Sequence, residues 1–575
     1  MKRLIPAIAA TLLICGCNSA QKQDDQESGA KIKADQIGYP TKGVKIALVP
    51  DSSAKEFTIV DFATGEEVYK GQCSEPKEWE FSGTKVKTAD FSDFNREGIF
   101  RLKCKGTSGS YPFAVGENIY QDLVKSAIKT FYLARAGEEI KEEYAGKYAR
   151  PAAHLDNVVK IHESAAGPKR KQGDIISSPG GWYDAGDYNK YIINSSITVW
   201  ELLHAIDMYP DYFDNLNLNI PESGNDLPDL LDEILVNLKW MLTMQDPDDG
   251  GVYSKLTSLS FCDFIMPQDD NSERYVVQKT TAAALDFVAV MCKAERVLRR
   301  FPQFEDFCDH IQGCYFRAYN WAMKNNNILY RQPKDVMTGQ YNDDRIGDEW
   351  TWACMEYFIS TEDELPMDKQ PYENYRFTAP CWDSTSVMAV ISLLTNKQAC
   401  SFMEKHQPEK QILEFVRTEF IKLADNLLAA YEKSAYKTPL DVFPWGSNSE
   451  CANRGIVLAT AYHITGNQKY LEAAQAALHY ILGRNPLDYC YVTGFGSKSP
   501  VDPHDRRSVA DSIPLPAPGY LAGGPYIGGG QEVGHQPNKY PALNYYDQYG
   551  SYTTNEIAIN WQAALILLAT MVDNE

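Results

Sequence analysis

"LPDLLDEILVNLKWMLT", residues 227–243, is the stretch from which the architecture can be read. Leu227, Leu230, Leu231, Ile234, Leu238 and Met241 recur at intervals of three and four, which puts them on one apolar helix face. Similar spacing returns around 119–135, 195–208, 280–300, 304–323, 349–360, 382–394, 410–432, 452–464, 468–483 and 555–571, about eleven helices in all. Long Gly- and Pro-rich loops interrupt them, notably 485–550, and ordered loops of that size usually carry function. The pattern predicts a helical toroid with its loops gathered on one face, where distant segments meet.

Upstream the texture differs. Between Ile32 and about Val115 lie short β-type runs, "KIALV" at 45–49, "EFTIVD" at 56–61 and "GIFRLKC" at 98–104, separated by turn-rich pieces such as Ala63-Thr64-Gly65. These predict a small β-sandwich over residues 31–117, followed by the helical unit over 118–575. The first residues, "MKRLIPAIAATLLICGCNSA", combine Lys2 and Arg3 with an apolar run from Leu4 to Ile14 and small residues before Cys17, a secretory signal too short for a stable bilayer span. The end of this run resembles a bacterial lipobox, which makes residues 1–17 a lipoprotein signal and Cys17 the lipidated residue. Residues 18–30 are polar and acidic, as a tether would be. The expectation is an exported bacterial lipoprotein of the outer membrane, at the cell surface or the periplasmic face, held by its lipid.

Composition narrows the partners. A chain of 575 residues with a formal net charge of −21 lacks the clustered Lys and Arg that a nucleic-acid backbone requires, so a neutral ligand fits better. The 35 Tyr and 10 Trp suit sugar stacking, although a large core also accounts for them. The 13 cysteines form no CxxC pair beyond the leader and no zinc-finger spacing, so they read as small buried residues with room for one or two disulfides. The histidines are dispersed, without HExxH.

Two acidic clusters carry the chemistry. In "GGWYDAGDYNKY", residues 180–191, Asp184 and Asp187 stand three apart among glycines that permit close approach. Like charges on one side of a turn raise at least one pKa. A calcium-binding or helix-capping turn reads equally from the spacing. Far downstream, "YYDQYGSYTTNEIAINWQAA" at 545–564 places Asp547 and Glu556 among aromatics. Thr553, Thr554 and Asn555 are good N-cap residues, so Glu556 is expected in the first turn of the last helix. There the dipole would lower its pKa, against what a general acid needs.

These motifs, with "DQIGYP" at 35–40, "DFSDFNREGIFRL" at 90–102, the 227–257 segment, "WGSNS" at 445–449, "YILGRNPLDYCYVTGFGSKSPVDPHDR" at 480–506 and "GYLAGGP" at 519–525, resemble family 9 of the glycoside hydrolases over about residues 30–572. The subgroup is that of inverting endoglucanases with an immunoglobulin-like domain before the catalytic barrel. The resemblance implies a multidomain chain, an immunoglobulin-like β-sandwich followed by an all-α (α/α)6 barrel of twelve helices, that hydrolyses β-1,4-glucan. It further implies Asp187 as the base that deprotonates water, Asp184 as its partner, Glu556 as the acid, and His504 and Arg506 as groups gripping the sugar. Asp547 corresponds to the other acid of the C-terminal signature, and Trp445 and Tyr552 to stacking platforms. Inversion places acid and base roughly 6.5–9.5 Å apart.

The chain departs from the family pattern at Asp505, where many relatives have histidine, at Gln562, where asparagine is expected, and at Tyr188-Asn189. These positions bear on subsite shape. The chemistry needs no cofactor. Relatives often hold structural calcium, and "GQYNDDRIGDE" at 339–349 offers oxygen ligands, Asp348 and Glu349 first, although a solvated acidic loop would look the same. The expected substrate is a cellulose-like, mixed-linkage or xyloglucan β-glucan. The alternatives are an exo-acting relative on chitosan-type oligosaccharides and a non-catalytic glycan-binding lipoprotein.

Overall fold

The computed structural model describes residues 29–361 and 377–575. The expected leader, tether and Cys17 lie outside the described residues, save Gly29 and Ala30. Eight strands come first: β1 (Gly38–Pro40), β2 (Ile46–Pro50), β3 (Glu56–Asp61), β4 (Glu67–Gln72), β5 (Lys77–Trp79), β6 (Thr84–Asp90), β7 (Gly98–Lys103) and β8 (Phe113–Gly116). They form a five-stranded sheet in the order β1-β8-β7-β3-β4 and a three-stranded sheet in the order β2-β6-β5. Alternation sets what is inside: Phe57 and Ile59 of β3 join Val49, Phe91, Phe100 and Phe113 in a core of their own.

Eleven long helices follow among the described residues: α1 (Gln121–Ala134), α2 (Ile192–Met208), α3 (Asp229–Thr243), α4 (Thr281–Leu298), α5 (Glu305–Lys324), α6 (Gly347–Thr361), α7 (Ser386–Thr395), α8 (Glu409–Lys433), α9 (Ser447–Thr465), α10 (Gln468–Ile481) and α11 (Ile559–Asn574). Six of them close a circuit in which α2 packs on α4, α4 on α6, α6 on α7, α7 on α9, α9 on α11 and α11 back on α2. Outside it, α1 lies against α11, α3 against α2, α5 against α4, α8 against α7 and α9, and α10 against α9. The burial pattern fits those places. In α2 every residue from Ile192 to Ile206 is buried, the mark of a helix with neighbours all round. In α3 Leu230, Leu231, Ile234, Leu238 and Met241 are buried while Lys239 is exposed.

The helical unit also contains a sheet that hydrophobic periodicity does not reveal. Strands β9 (Val159–Ile161), β10 (Ile175–Ile176), β11 (Lys190–Tyr191), β12 (Lys255–Thr257) and β13 (Arg274–Val276) pair in the order β10-β9-β13-β12-β11. Two or three residues are too few to display an alternation. β11 runs directly into α2, so the "DAGD" segment hangs between a sheet edge and an inner helix. The eleven described cysteines are all free thiols, so the expected room for a disulfide is not used among them. No helix among the described residues is long and apolar enough to cross a membrane.

Arg484 joins the two units. It is 1% exposed, and its guanidinium donates to the carbonyls of Ile46 in β2 (3.4 Å), Lys437 (2.6 Å) and Ala476 in α10 (3.1 Å). Removing it would leave the Lys437 carbonyl without a donor among the described residues, costing about 1–3 kcal/mol, and would take one of two donors from Ile46, which keeps the Tyr39 hydroxyl (3.0 Å). With the cavity left by a fully buried side chain, Arg484→Ala is expected to destabilise the sandwich and the helical unit together, by about 3 kcal/mol. Thermal unfolding followed by near-UV circular dichroism checks this; an unchanged Tm would contradict it.

Candidate active site

Three segments distant in sequence converge above the helix circuit. The 180–191 stretch crosses it through left-handed Gly180 and Gly181 (φ 79° and 77°), and a Cβ at Gly181 would meet the Trp240 ring at 2.7 Å. Gly186 rests on the backbone of the 503–506 segment, where a Cβ would lie 2.2 Å from the His504 carbonyl oxygen. The Gly186 carbonyl accepts from the Arg506 amide (3.1 Å) and Nη1 (2.8 Å). His504 in turn bridges to Glu556, and the Ile559 amide that opens α11 donates to the Asp184 carbonyl (2.9 Å). The three acids are thus tied together through main chain.

Asp184 is buried, and both carboxylate oxygens are engaged: Asn194 donates to Oδ1 (2.8 Å) and the Tyr341 hydroxyl to Oδ2 (2.7 Å). Burial, with the adjacent Asp187 charge, pushes its pKa up to about 8. Asp187 accepts only through Oδ2, from Asn189 Nδ2 (2.5 Å) and the Tyr191 hydroxyl (3.4 Å). Its Oδ1 has no protein donor among the described residues. Burial first, then the charges of Asp187 and Asp184, hold Glu556 well above the usual carboxyl range, against the pull of Arg506 and the Gly186 backbone.

Glu556 corrects an expectation. It does not start the last helix: residues Tyr552–Asn555 form a separate short helical turn, Glu556 is extended (φ −67°, ψ 157°), and α11 begins at Ile559. Asn555 cannot cap, because its side chain is engaged elsewhere. Nδ2 donates to the Asp502 carbonyl (2.6 Å) and to Asp547 (3.1 Å), while Oδ1 accepts from Tyr545 (2.6 Å). The conflict between helix dipole and acid function disappears with the helix.

The remaining expected residues fall into two groups. His504 faces the cleft; its Nδ1 donates to the Tyr549 carbonyl (2.5 Å), which leaves Nε2 available, and burial lowers its pKa. Trp445 and Tyr552 are 48% and 41% exposed with ring centroids 5.6 Å apart, as platforms require. Arg506 is turned toward protein instead: Nε donates to the Cys262 carbonyl (3.0 Å), and the guanidinium lies over Phe261 and Phe264. The Asp547 carboxylate accepts from the amides of Val501 (2.9 Å) and Asp502 (3.0 Å), so it shapes the loop before His504. Of the departures, Asp505 pairs with Arg507 (2.9 Å) and Gln562 binds the 519–521 backbone.

Sequence reasoning missed Tyr341, which reaches Asp184, and the loop aromatics Phe264 and Tyr549, whose rings extend the row from Tyr552 through His504. None shows a helical spacing; position beside an acidic cluster was the only signal.

A family model described as glycosyl hydrolase family 9 matches residues 120–569, and one described as a cellulase N-terminal Ig-like domain matches residues 27–108. A xyloglucan-specific endo-β-1,4-glucanase of Bacteroides ovatus is 39% identical, covering 94% of this chain and 93% of its own. Endoglucanase D of Acetivibrio thermocellus is 30% identical, covering 96% of this chain and 84% of its own. A solved Bacteroides ovatus GH9 structure superposes with a TM-score of 0.86 at 38% identity, covering 94% of this chain and 98% of that one.

A second acidic group lies deeper. Asp343, Asp348 and Glu349 each offer an oxygen within 4.8 Å of one another, and all three are buried. The site therefore includes both expected ligand residues, although they open helix α6 and do not lie in a solvated loop. Asp286 of α4 faces the group. Among the described residues no N–H or hydroxyl reaches either oxygen of Asp286 or Glu349, or Oδ2 of Asp343. Burial and mutual repulsion raise the pKa of all four. Clustered hard oxygens without donors suit a divalent cation such as calcium. Raised carboxyls favour the fold at low pH and lose that contribution as pH rises through their folded pKa values, unless a cation compensates. Chelation is thus expected to lower Tm, more at pH 8 than at pH 5, with calcium restoring it; equal melting curves with and without chelator would count against a cation site.

Proposed function

Because the chain belongs to glycosyl hydrolase family 9, we propose that it is an endo-β-1,4-glucanase that cleaves β-glucans with inversion, xyloglucan among them. The observation that carries the division of labour is the unequal use of the carboxylate oxygens. Asp184 has both oxygens engaged and Asp187 has one free. Asp187 takes a proton from the attacking water, Asp184 helps hold that water, and Glu556, kept protonated by burial and two neighbouring charges, gives its proton to the leaving glycosidic oxygen. The atoms balance: water supplies the hydroxyl at the anomeric carbon, and the free enzyme is restored by proton exchange with solvent.

The closed circuit of six helices with others outside supports an (α/α)6 barrel as the frame of a catalytic unit over 118–575. Trp445, Tyr552 and His504 line the sugar path in this reading, and Asp343, Asp348, Glu349 and Asp286 hold a structural calcium that takes no part in the chemistry. Export and anchoring through Cys17 rest on the leader's composition and its likeness to a lipobox.

Glu556→Gln is expected to lower kcat by at least a hundredfold while leaving oligosaccharide binding intact. In the parent, kcat/KM falls as pH rises through the raised Glu556 pKa, because only the protonated form donates. Isothermal calorimetry with turnover measured across pH separates the two effects, and undiminished hydrolysis would sink the acid assignment. Digestion of xyloglucan, barley β-glucan, carboxymethylcellulose and chitosan should release mid-length β-glucan fragments early. Monomers or dimers alone would mean exo attack.

A further inference from the structure

Asn189 sits two residues after Asp187, 2% exposed, with its whole amide determined by the surrounding fold. Its Oδ1 accepts from the Ser258 amide (2.9 Å) and Arg274 Nη1 (3.4 Å), while the Thr257 and Ser258 hydroxyls beside it give their protons to the Ser258 and Ser260 carbonyls (2.7 Å each). Two groups that can only donate fix which end is oxygen, so Nδ2 must donate, and it donates to Asp187 Oδ2. Arg274 is held in turn: Nη2 donates to the Tyr188 carbonyl (2.8 Å) and Nε to Asp156 (3.1 Å), which also pairs with Lys190 (2.7 Å). Asp156, Arg274, Asn189 and Asp187 are all buried and form one chain of hydrogen bonds running into the sheet β9–β13.

We propose that Asn189, backed by Arg274 and Asp156, is the positioning residue for Asp187: it immobilises one carboxylate oxygen and leaves the other as the one that receives the proton. The inference rests on the reading of Asp187 as base. A free carboxylate can rotate and present either oxygen; one clamped at Oδ2 presents Oδ1 in a single orientation, and small misplacements of a reacting group are costly.

Other groups act on the same carboxyl. Asp184 on its own loop and Glu556 from the 552–558 segment are the acidic groups beside it, and Lys255 of β12 is the basic one. Tyr191, Cys262 and His504 face it as neutral groups. The neighbouring carboxyls are those the reaction needs, so the clamp on Asp187 is the contact that can be removed without deleting a reacting group.

The test is kcat and KM for Asn189→Ala and Asn189→Asp, with Asp187→Asn alongside and Tm recorded for each. The expected result for Asn189→Ala is a roughly hundredfold loss of kcat with KM nearly unchanged. Asn189→Asp, nearly isosteric, has no amide to donate and should lose kcat at least as far, again with KM nearly unchanged. Activity falling only with Tm, or a loss that appears in KM and not in kcat, would overturn the inference. Should Asp187→Asn retain turnover, the base assignment itself fails; should it be inactive while both Asn189 variants keep the parental kcat, only the clamp fails.

Discussion

The site depends on a missing side chain. Gly186 lets the loop of Asp184 and Asp187 lie directly on the His504 backbone, so close that a methyl group would overlap a carbonyl. From that contact follow the paired hydrogen bonds of Arg506 to the Gly186 carbonyl and the bridge from His504 to Glu556. Acids separated by some 370 residues of chain are thus held by main-chain geometry, which varies less than side-chain rotamers do. A dry, crowded set of carboxylates would otherwise relax apart.

Crowding then does chemical work. Three carboxyls in a poorly solvated cleft cannot all ionise, and the surroundings decide which keeps its proton. Asp184 is surrounded by donors yet remains raised, because burial and Asp187 outweigh them. Glu556 has the least help from donors and the most repulsion. The cation cluster repeats the same physics for another end: four buried carboxyls, two of them with no donor among the described residues, store repulsion that a divalent ion would relieve.

Much of the fold is legible before any coordinates. The three-four spacing locates helices such as α3, and the β-type runs at 45–49, 56–61 and 98–104 coincide closely with β2, β3 and β7. The acid-bearing segments stand out because glycines and aromatics around carboxylates are unusual. What stayed hidden has specific causes. Strands β9–β13 are too short to show a period. Thr553-Thr554-Asn555 has the letters of a cap, but Asn555 is engaged by Asp502, Asp547 and Tyr545, and Glu556 becomes extended. Arg506 looks like a ligand-gripping group by motif, whereas two of its nitrogens bind backbone carbonyls.

The amino-acid order by itself determined where the long helices and the β-type runs at 45–49, 56–61 and 98–104 lie and which carboxylates are candidates. These follow from local periodicity and residue chemistry, which act over a few positions. Only the tertiary structure decided that Glu556 leaves the helix, that Asn189 presents its amide to Asp187, and that Asp286 joins the acidic cluster from another helix. Those outcomes depend on desolvation and on hydrogen bonds between residues far apart in the chain, and neither quantity is defined until the chain has closed on itself.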